Sequence, residues 1–375
     1  MPGLTRRYGR RTERLRSTLA AVGLALAGRA GARIARVFGL SVSRSTVLRL
    51  VESLPNPEVP APRIVGVDEY ATRKGRHYGT VLVDVESRRP VDLLPDREAS
   101  SLAAWLAKRP GVEVVCRDRA PFYAEGATAG APQAVQVADR WHLWHNLSEA
   151  AERCVADHRG CLRVLAPDPA QPAPEPEKFE DPSGSPWPRG HRFADRTRAN
   201  HATVHELLTA GLSRRAIGRQ LRMTSRTVKL FADAATSPNP ITARPPSPRV
   251  VAGWILRRPE TLPEIDHLRL KAVLVHCPEL DALTTHVRSF AQMLTERQGK
   301  RLPQWLDAVR RDDLPSLHTL AAGIERDRDA VMAGLTLPWN SGVVEGHVNR
   351  ITMLKRQMFG RAGFALLRKR VLLAS

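Results

Sequence analysis

RIVGVDEYA, residues 63–71, is a short apolar run that ends in two adjacent acids, Asp68 and Glu69. A run of this length bounded by charge reads as a buried strand. Working outward, HYGTVLVDVES (77–87) reads as a second strand and PVDLLPDR (90–97) as a third, with Gly75 and the Arg88–Pro90 stretch marking the turns of a meander. EASSLAAWLAKR (98–109) changes to helical spacing through Leu102, Trp105 and Leu106. GVEVVCRDRA (111–120) returns to strand and ends in Asp118, and QAVQVADRWH (133–142) is a further apolar run ending in Asp139 and His142.

The order strand, strand, strand, helix, strand, helix or loop, strand, with an acid on the first strand and another just past the fourth, is the arrangement of an RNase H-like α/β fold. Strands one and four are neighbours there, so Asp68 and Asp118 are expected side by side. Two acids held together in a low-dielectric groove repel each other and raise a pKa unless a cation intervenes. Oxygen-only ligands favour Mg²⁺ or Mn²⁺ over zinc.

Eight prolines between Pro167 and Pro188 and five between Pro238 and Pro248 mark linkers, because a missing N–H and a fixed φ disfavour helix and sheet interiors. They isolate an island, HATVHELLTAGLSRRAIGRQLRMTSRTVKLFADA (201–234), in which Val204, Leu207 and Leu208, then Ala216, Ile217 and Leu221, then Val228 and Phe231 have the spacing of a helix-turn-helix unit, the third helix starting at Thr224 or Ser225. GARIARVFGLSVSRSTVLRLV (31–51) repeats the pattern: Ile34, Ala35 and Phe38 are expected to pack, Gly39 to turn and Ser43 to cap the next helix. Aligning Ser43-Arg44 with Ser225-Arg226 makes Arg44, Thr46, Arg49, Arg226 and Lys229 the expected major-groove contacts.

Lys and Arg number 58 against 38 Asp and Glu, a net charge of +20, which points to a polyanionic partner such as nucleic acid. Four scattered cysteines lack the spacing of a disulfide framework or a zinc site and fit a reducing cytoplasm. Cys154, His158 and Cys161 lie close together without a fourth partner and read as incidental. The basic and then apolar N-terminal stretch imitates a targeting signal, but Arg29, Arg33 and Arg36 follow at once, so it reads as a helix of a soluble domain with no membrane role.

VGVDEYA (65–71), VCRDRAPFYAEGA (115–127), QVADRWHLWHNL (136–147) and SGVVEGHVNRITMLKRQMFGRAGFALLRKR (341–370) together resemble the successive blocks of bacterial insertion-sequence transposases of the ISL-three family, which are DDE transposases. The resemblance implies a retroviral-integrase-like catalytic core interrupted by a helical insertion, with Asp68, Asp118 and Glu345 as catalytic acids and ligands of two Mg²⁺ or Mn²⁺ ions. It gives Asp139 and His142 a supporting role, with Asp139 in reserve as the second acid. Glu345 then opens an amphipathic helix in which Val344, Val348, Ile351 and Leu354 or Lys355 make the three- and four-residue steps, with Gly346 allowing close approach. Arg350, Lys355, Arg356 and Arg361 are expected to meet DNA phosphates.

The expected organisation is an N-terminal helix-turn-helix domain (1–55), the first part of the core (62–160), a linker (163–200), the inserted helix-turn-helix (201–235), a second linker (236–249), a helical insertion (250–337) and the C-terminal part of the core (338–375). Family members commonly begin with a cysteine-rich, zinc-finger-like segment. No cysteine precedes Cys116, so the expectation is a shortened N-terminus, no zinc, modest DNA specificity and poor transposition. The expected partners are the terminal inverted repeats of the element, target DNA and further copies of the chain, in a bacterial cytoplasm at the nucleoid. The rival expectations are a DNA-binding regulator without catalysis and an RNase H-like nuclease that cuts without joining.

Overall fold

Two helices, α1 (Glu13–Val37) and α2 (Arg44–Glu52), precede the sheet in the computed structural model, which describes residues 11–57, 59–73, 77–165, 192–221, 223–234, 245–358 and 363–374. The Thr12 hydroxyl accepts the Leu15 N–H at 3.2 Å to cap α1, and Ser43 accepts the Thr46 N–H at 3.1 Å to cap α2. Gly39 makes the turn between them at φ 74°, a conformation that costs glycine nothing. The expected inward face is only partly right. Ala35 is buried, but Phe38 is 75% exposed and Ile34 also faces outward. The helix is broken at Ala27 (φ 59°, ψ −168°), and the buried stripe beyond the break consists of the small residues Gly28, Gly31 and Ala35. By length and apolarity α1 resembles a membrane-crossing helix, yet it is kinked and buries Leu19, Ala20 and Ala35 with Leu50 of α2.

The apolar runs are strands: β1 (Ile64–Arg73), which continues past its two acids, β2 (His77–Asp84), β3 (Arg89–Leu94), then α3 (Ala99–Ala107), β4 (Val114–Arg117), α4 (Pro121–Gly130), β5 (Val135–Ala138) and α5 (Arg140–Asp157). The sheet order is β3-β2-β1-β4-β5, with β1–β2 and β2–β3 antiparallel and β1–β4 and β4–β5 parallel. Strands one and four are therefore neighbours, as the sequence predicts. One turn shifts: Arg88 is the turn residue at φ 57°, whereas Pro90 lies within β3 opposite Val83. Gly75, the other turn marker, lies outside the described residues. Alternation of side chains across the pleat builds two cores. Val65, Val67 and Leu82 face Leu102, Leu106 and Tyr123 of α3 and α4, and Tyr70, Val81, Val83 and Leu93 share a second cluster with the C-terminal helices.

Residues 152–284 form a compact unit of their own. It holds a 3₁₀ turn (Cys161–Leu165), α6 (Arg192–Thr209), α7 (Arg214–Gln220), α8 (Ser225–Ala234), α9 (Pro248–Leu256) and α10 (Glu264–His276). Helix α6 begins inside the stretch expected to be linker; residues 166–191 and 235–244 lie outside the described residues. Val204, Ile217, Val228 and Phe231 form the core of the island. Its last helix is capped by Thr224, whose hydroxyl accepts the Thr227 N–H at 3.2 Å. The cap fixes a different alignment from the Ser-Arg match: Ser43 corresponds to Thr224 and Thr46 to Thr227, so Arg44 corresponds to Ser225 and Arg226 to Ser45.

The chain then returns to the first unit, which comprises residues 1–151 and 285–375. Helix α11 (Pro278–Glu296) leads into α12 (Leu302–Arg311), α13 (Pro315–Glu325), α14 (Arg328–Thr336), α15 (Gly342–Gln357) and α16 (Phe364–Leu373). Helix α14 lies against β5 and is fixed at both ends. The fully buried Arg117 of β4 pairs with Asp327 through two bonds of 2.8 and 3.0 Å, and Arg140 donates to the carbonyls of Gly334, Leu337 and Pro338. Helix α15 packs on β1 and β2, and α16 on β3 and α2.

Candidate active site

Register places the acids. Val67 of β1 pairs with Arg117 of β4, and Arg117 pairs with Ala138 of β5. The next residue along each strand line is Asp68, Asp118 and Asp139, one row across three parallel neighbours. In open α/β sheets ligands gather outside the carboxyl ends of such strands.

The three carboxylates differ in what holds them. Asp68 accepts the N–H of Glu69 at 2.7 Å and Asp118 that of Ala120 at 3.1 Å, and among the described residues no Lys or Arg forms an ion pair with either. Burial, assisted by repulsion from Asp118 and Asp139, pushes the Asp68 carboxyl up to about 6. Burial also raises Asp118, with Glu69 adding repulsion. Asp139 behaves oppositely. Its burial would raise it, but bonds from His142 and the Ser341 hydroxyl outweigh that and leave it below the usual carboxylate range. His142 Nδ1 lies 2.8 Å from Asp139 Oδ2 and the His142 N–H donates to the same oxygen at 3.3 Å. The bond to Asp139 raises the imidazole, and Asp118 and Asp68 add to the effect. The structure thus brings Asp68, Asp118, Asp139 and His142 into one electrostatic neighbourhood.

Helix α15 is seated against this row. The Ser341 hydroxyl donates to Asp139, and a Cβ on Gly66 would come within 2.6 Å of Val344 Cγ2, so glycine two residues before Asp68 lets the helix start approach β1. Val344, Ile351 and Leu354 are buried and Val348 is partly so, at the spacing the sequence predicts. Glu345 lies exposed on the first turn, and its carboxylate does not close with Asp68 and Asp118 into a set of ligand atoms all within 4.8 Å. Gly346 makes no close approach; a Cβ there would meet nothing within 4 Å. Gly66 carries that role instead.

Of the cations expected on DNA, Arg44, Arg49, Arg226, Lys229 and Arg356 are exposed and Thr46 is half-buried beside its cap. Arg350 and Lys355 are occupied within the chain: Arg350 donates to the Ala374 carbonyl and Lys355 to that of Ala71. Arg361 lies outside the described residues. Two residues were not singled out by the sequence. Trp141 is 55% exposed, stacked on the His145 ring and edge-on to His142. Tyr123 is fully buried and hydrogen-bonded to Thr80; Asp118 and Asp68 act on its titration, which places it close behind the row. Both lie in quoted blocks, but exposure of one aromatic and burial of the other carry no local signal.

The model of the ISL3-type DDE family, described as Transposase, matches residues 65–168 and 251–371, more than half of the chain. The chain belongs to this transposase family. Between the two matched parts, residues 169–250 of the transposase carry the island and nearly all of both proline-rich segments. Over 310 residues it is 25% identical to the transposases for insertion sequence element IS1557 of Mycobacterium tuberculosis strains CDC 1551 / Oshkosh and ATCC 25618 / H37Rv. That similarity covers 80% of this chain and 56% of each relative, so the chain spans little more than half their length. The family implies an RNase H-like core, with which the β3-β2-β1-β4-β5 order agrees, and chemistry on DNA with divalent metal ions.

Proposed function

We propose that the chain binds the ends of an insertion sequence and cleaves and joins DNA strands there, with Asp68, Asp118 and Glu345 as its catalytic acids. The observation that carries this reading is the row of Asp68 and Asp118: two half-buried, neighbouring carboxylates, both raised, with which no Lys or Arg forms an ion pair among the described residues. Such a pair fits Mg²⁺ or Mn²⁺. When bound there, two such ions supply activation of a water or a DNA 3′-hydroxyl and neutralise charge on the leaving oxygen of an in-line displacement. Asp68 and Asp118 hold that charge at the sheet, and Glu345 approaches it from α15. Asp139 orients His142 and, through Ser341, the start of α15. The exposed Trp141 ring is a stacking surface for a base of the strand in the site. Helices α2 and α8 act as the recognition helices of two helix-turn-helix units, with Arg44, Thr46, Arg49, Arg226 and Lys229 toward the DNA, and Arg356, in the last turn of α15, meets phosphate. The terminal inverted repeats and target DNA are the substrates, held by more than one copy of the chain.

Incubation of the chain with element-end DNA and Mg²⁺ tests this reading through the appearance of joined strands; binding alone would favour a regulator, and cutting without joining a nuclease. A second measurement is thermal. Asp68 holds its proton more tightly folded than unfolded, so in the metal-free chain this group's contribution to stability declines as pH rises from about 4 to about 6. Mg²⁺ or Mn²⁺ is expected to raise Tm above pH 6, to do so less at pH 5, and not to do so in Asp68→Asn; an equal shift in that variant would place the ions elsewhere.

DNA affinity is expected to fall by roughly 10³-fold between about 50 and 200 mM salt if six phosphates are contacted. Arg44→Ala should relax sequence preference, whereas Arg356→Ala should weaken all sequences alike. A salt-independent affinity would contradict the assignment. Gly66→Ala should cost about 1–3 kcal/mol by overpacking against Val344, and should lower the cleavage rate beyond what the lost folded fraction explains, because it displaces the turn that carries Glu345. Unchanged cleavage by the folded variant would remove the seating of α15 from the account.

A further inference from the structure

Within the 152–284 unit, three chemically different ligand groups converge at a point that the DNA chemistry does not use. The His158 ring, the Cys277 thiol and the Glu279 carboxylate present ligand atoms that all lie within 4.8 Å of one another. His158 follows the end of α5, Cys277 stands between α10 and α11, and Glu279 is in the first turn of α11. Cys277 Sγ donates to Glu279 Oε2 at 3.2 Å. A fourth group stands nearby: the Cys161 thiol, at the head of the 3₁₀ turn, acts on the titration of Cys277, and its sulfur lies outside the set of three whose ligand atoms are all within 4.8 Å, so it would have to move in to complete four ligands. Helix α10 packs against that same turn.

The histidine is prepared as a ligand. Its Nδ1 lies 2.9 Å from the Cys154 carbonyl oxygen, and a carbonyl can only accept, so Nδ1 carries the proton. In the neutral ring Nε2 is then the atom with a lone pair to offer, the arrangement in which an outer hydrogen bond fixes the tautomer of a metal-binding imidazole. Cys154, close to His158 in sequence, contributes this carbonyl.

We propose that His158, Cys161, Cys277 and Glu279 form a structural zinc site. Two thiolates, an imidazole and a carboxylate make a four-ligand set of borderline softness, which suits tetrahedral Zn²⁺ and not the Mg²⁺ of an all-oxygen site. On binding, each cysteine forms an S–Zn bond and releases its thiol proton to solvent, so two protons leave per ion and the site weakens as pH falls. The ion ties the chain leaving α5 to the α10–α11 junction. These two points flank the stretch that contains both proline-rich segments and the island, so the site fastens the insertion at its root. This reverses the expectation of a zinc-free chain.

The test uses the full chain in reducing buffer, first stripped with a chelator and then titrated with Co²⁺ or Zn²⁺ alone. The expected result is one metal ion per chain at this site, with strong visible bands of tetrahedral Co²⁺, a thiolate-to-cobalt band in the near ultraviolet, and displacement of Co²⁺ by Zn²⁺. Cys161→Ser and Cys277→Ser should each weaken Co²⁺ binding by more than about tenfold, and the double variant should lose the thiolate band. Cys154→Ala retains the carbonyl that holds His158 and should bind as the parent does. Circular dichroism of the metal-free variants, compared with the metal-free parent, separates ligand loss from misfolding. Absence of a thiolate band in the parent, an unchanged band in the double variant, or closure of Cys161 and Cys277 into a disulfide in place of metal uptake overturns the proposal.

Discussion

Asp68→Asn is expected to lower DNA cleavage and strand joining by at least about 10³-fold, about 4 kcal/mol in the barrier, while DNA affinity changes little. Asparagine keeps the shape and can still accept the Glu69 N–H, so the strand is preserved at this point. What disappears is one of two neighbouring negative charges with which, among the described residues, no Lys or Arg forms an ion pair. Asp118→Asn should behave alike, because its carboxylate is raised for the same reason, burial among other acids. Glu345→Gln should match them, although its exposed position leaves its fold undisturbed. Asp139→Asn is the discriminating variant. Asp139 is committed to His142 and Ser341, so its loss should act through the position of those groups and cost about 10–100-fold. If Asp139→Asn is inactive and Asp118→Asn is not, the second catalytic acid is Asp139.

Arg370→Ala should destabilise the chain by about 3–5 kcal/mol, read as a lower urea midpoint with little change in slope. The guanidinium is fully buried and bridges the C-terminal ends of two helices. Nε and Nη2 donate to the Leu24 carbonyl at 3.0 and 2.7 Å, Nη2 reaches the Ala25 carbonyl at 3.3 Å and Gln357 Oε1 at 2.8 Å, and Nη1 reaches the Leu354 carbonyl at 3.4 Å. The break of α1 at Ala27 ends the helical ladder just beyond Leu24 and Ala25, and helix ends leave carbonyls without partners. A cation at such ends is stabilised by their partial negative charge. Truncation would leave those carbonyls buried and unpaired. Arg370→Lys keeps the charge but not the fork, and should recover only part of the loss. A change of less than about 1 kcal/mol in Arg370→Ala would show that water replaces the guanidinium and that the docking of α1 does not depend on it.

What the sequence disclosed was local. The strands at 64–73 and 114–117 were legible from their apolar runs, although the first continues through Asp68 and Glu69 to Arg73, and the packing of α15 because Val344, Val348, Ile351 and Leu354 keep a helical period. Phase was lost where the backbone breaks. Beyond Ala27 the stripe of small residues, not Ile34 and Phe38, turns inward, and nothing nearby announces a positive φ at an alanine. Long-range pairing was equally silent. Arg117 and Arg370 look like any other cations of a basic chain, yet one answers Asp327 and the other closes two helix ends. The order of the acids was legible, but which of Asp118 and Asp139 is engaged by His142 and Ser341 was not, because Ser341 is two hundred residues away. The cluster of His158 and Cys161 with Cys277 and Glu279 was hidden for the same reason.

The most direct test of the central claim is a strand-transfer assay in which labelled element-end DNA is incubated with the chain, target DNA and Mg²⁺ or Mn²⁺. Labelled ends covalently joined to target through their 3′-hydroxyls, dependent on the divalent ion and absent with Asp68→Asn, Asp118→Asn and Glu345→Gln, are the predicted result. Joined product formed equally well by those variants would contradict the account.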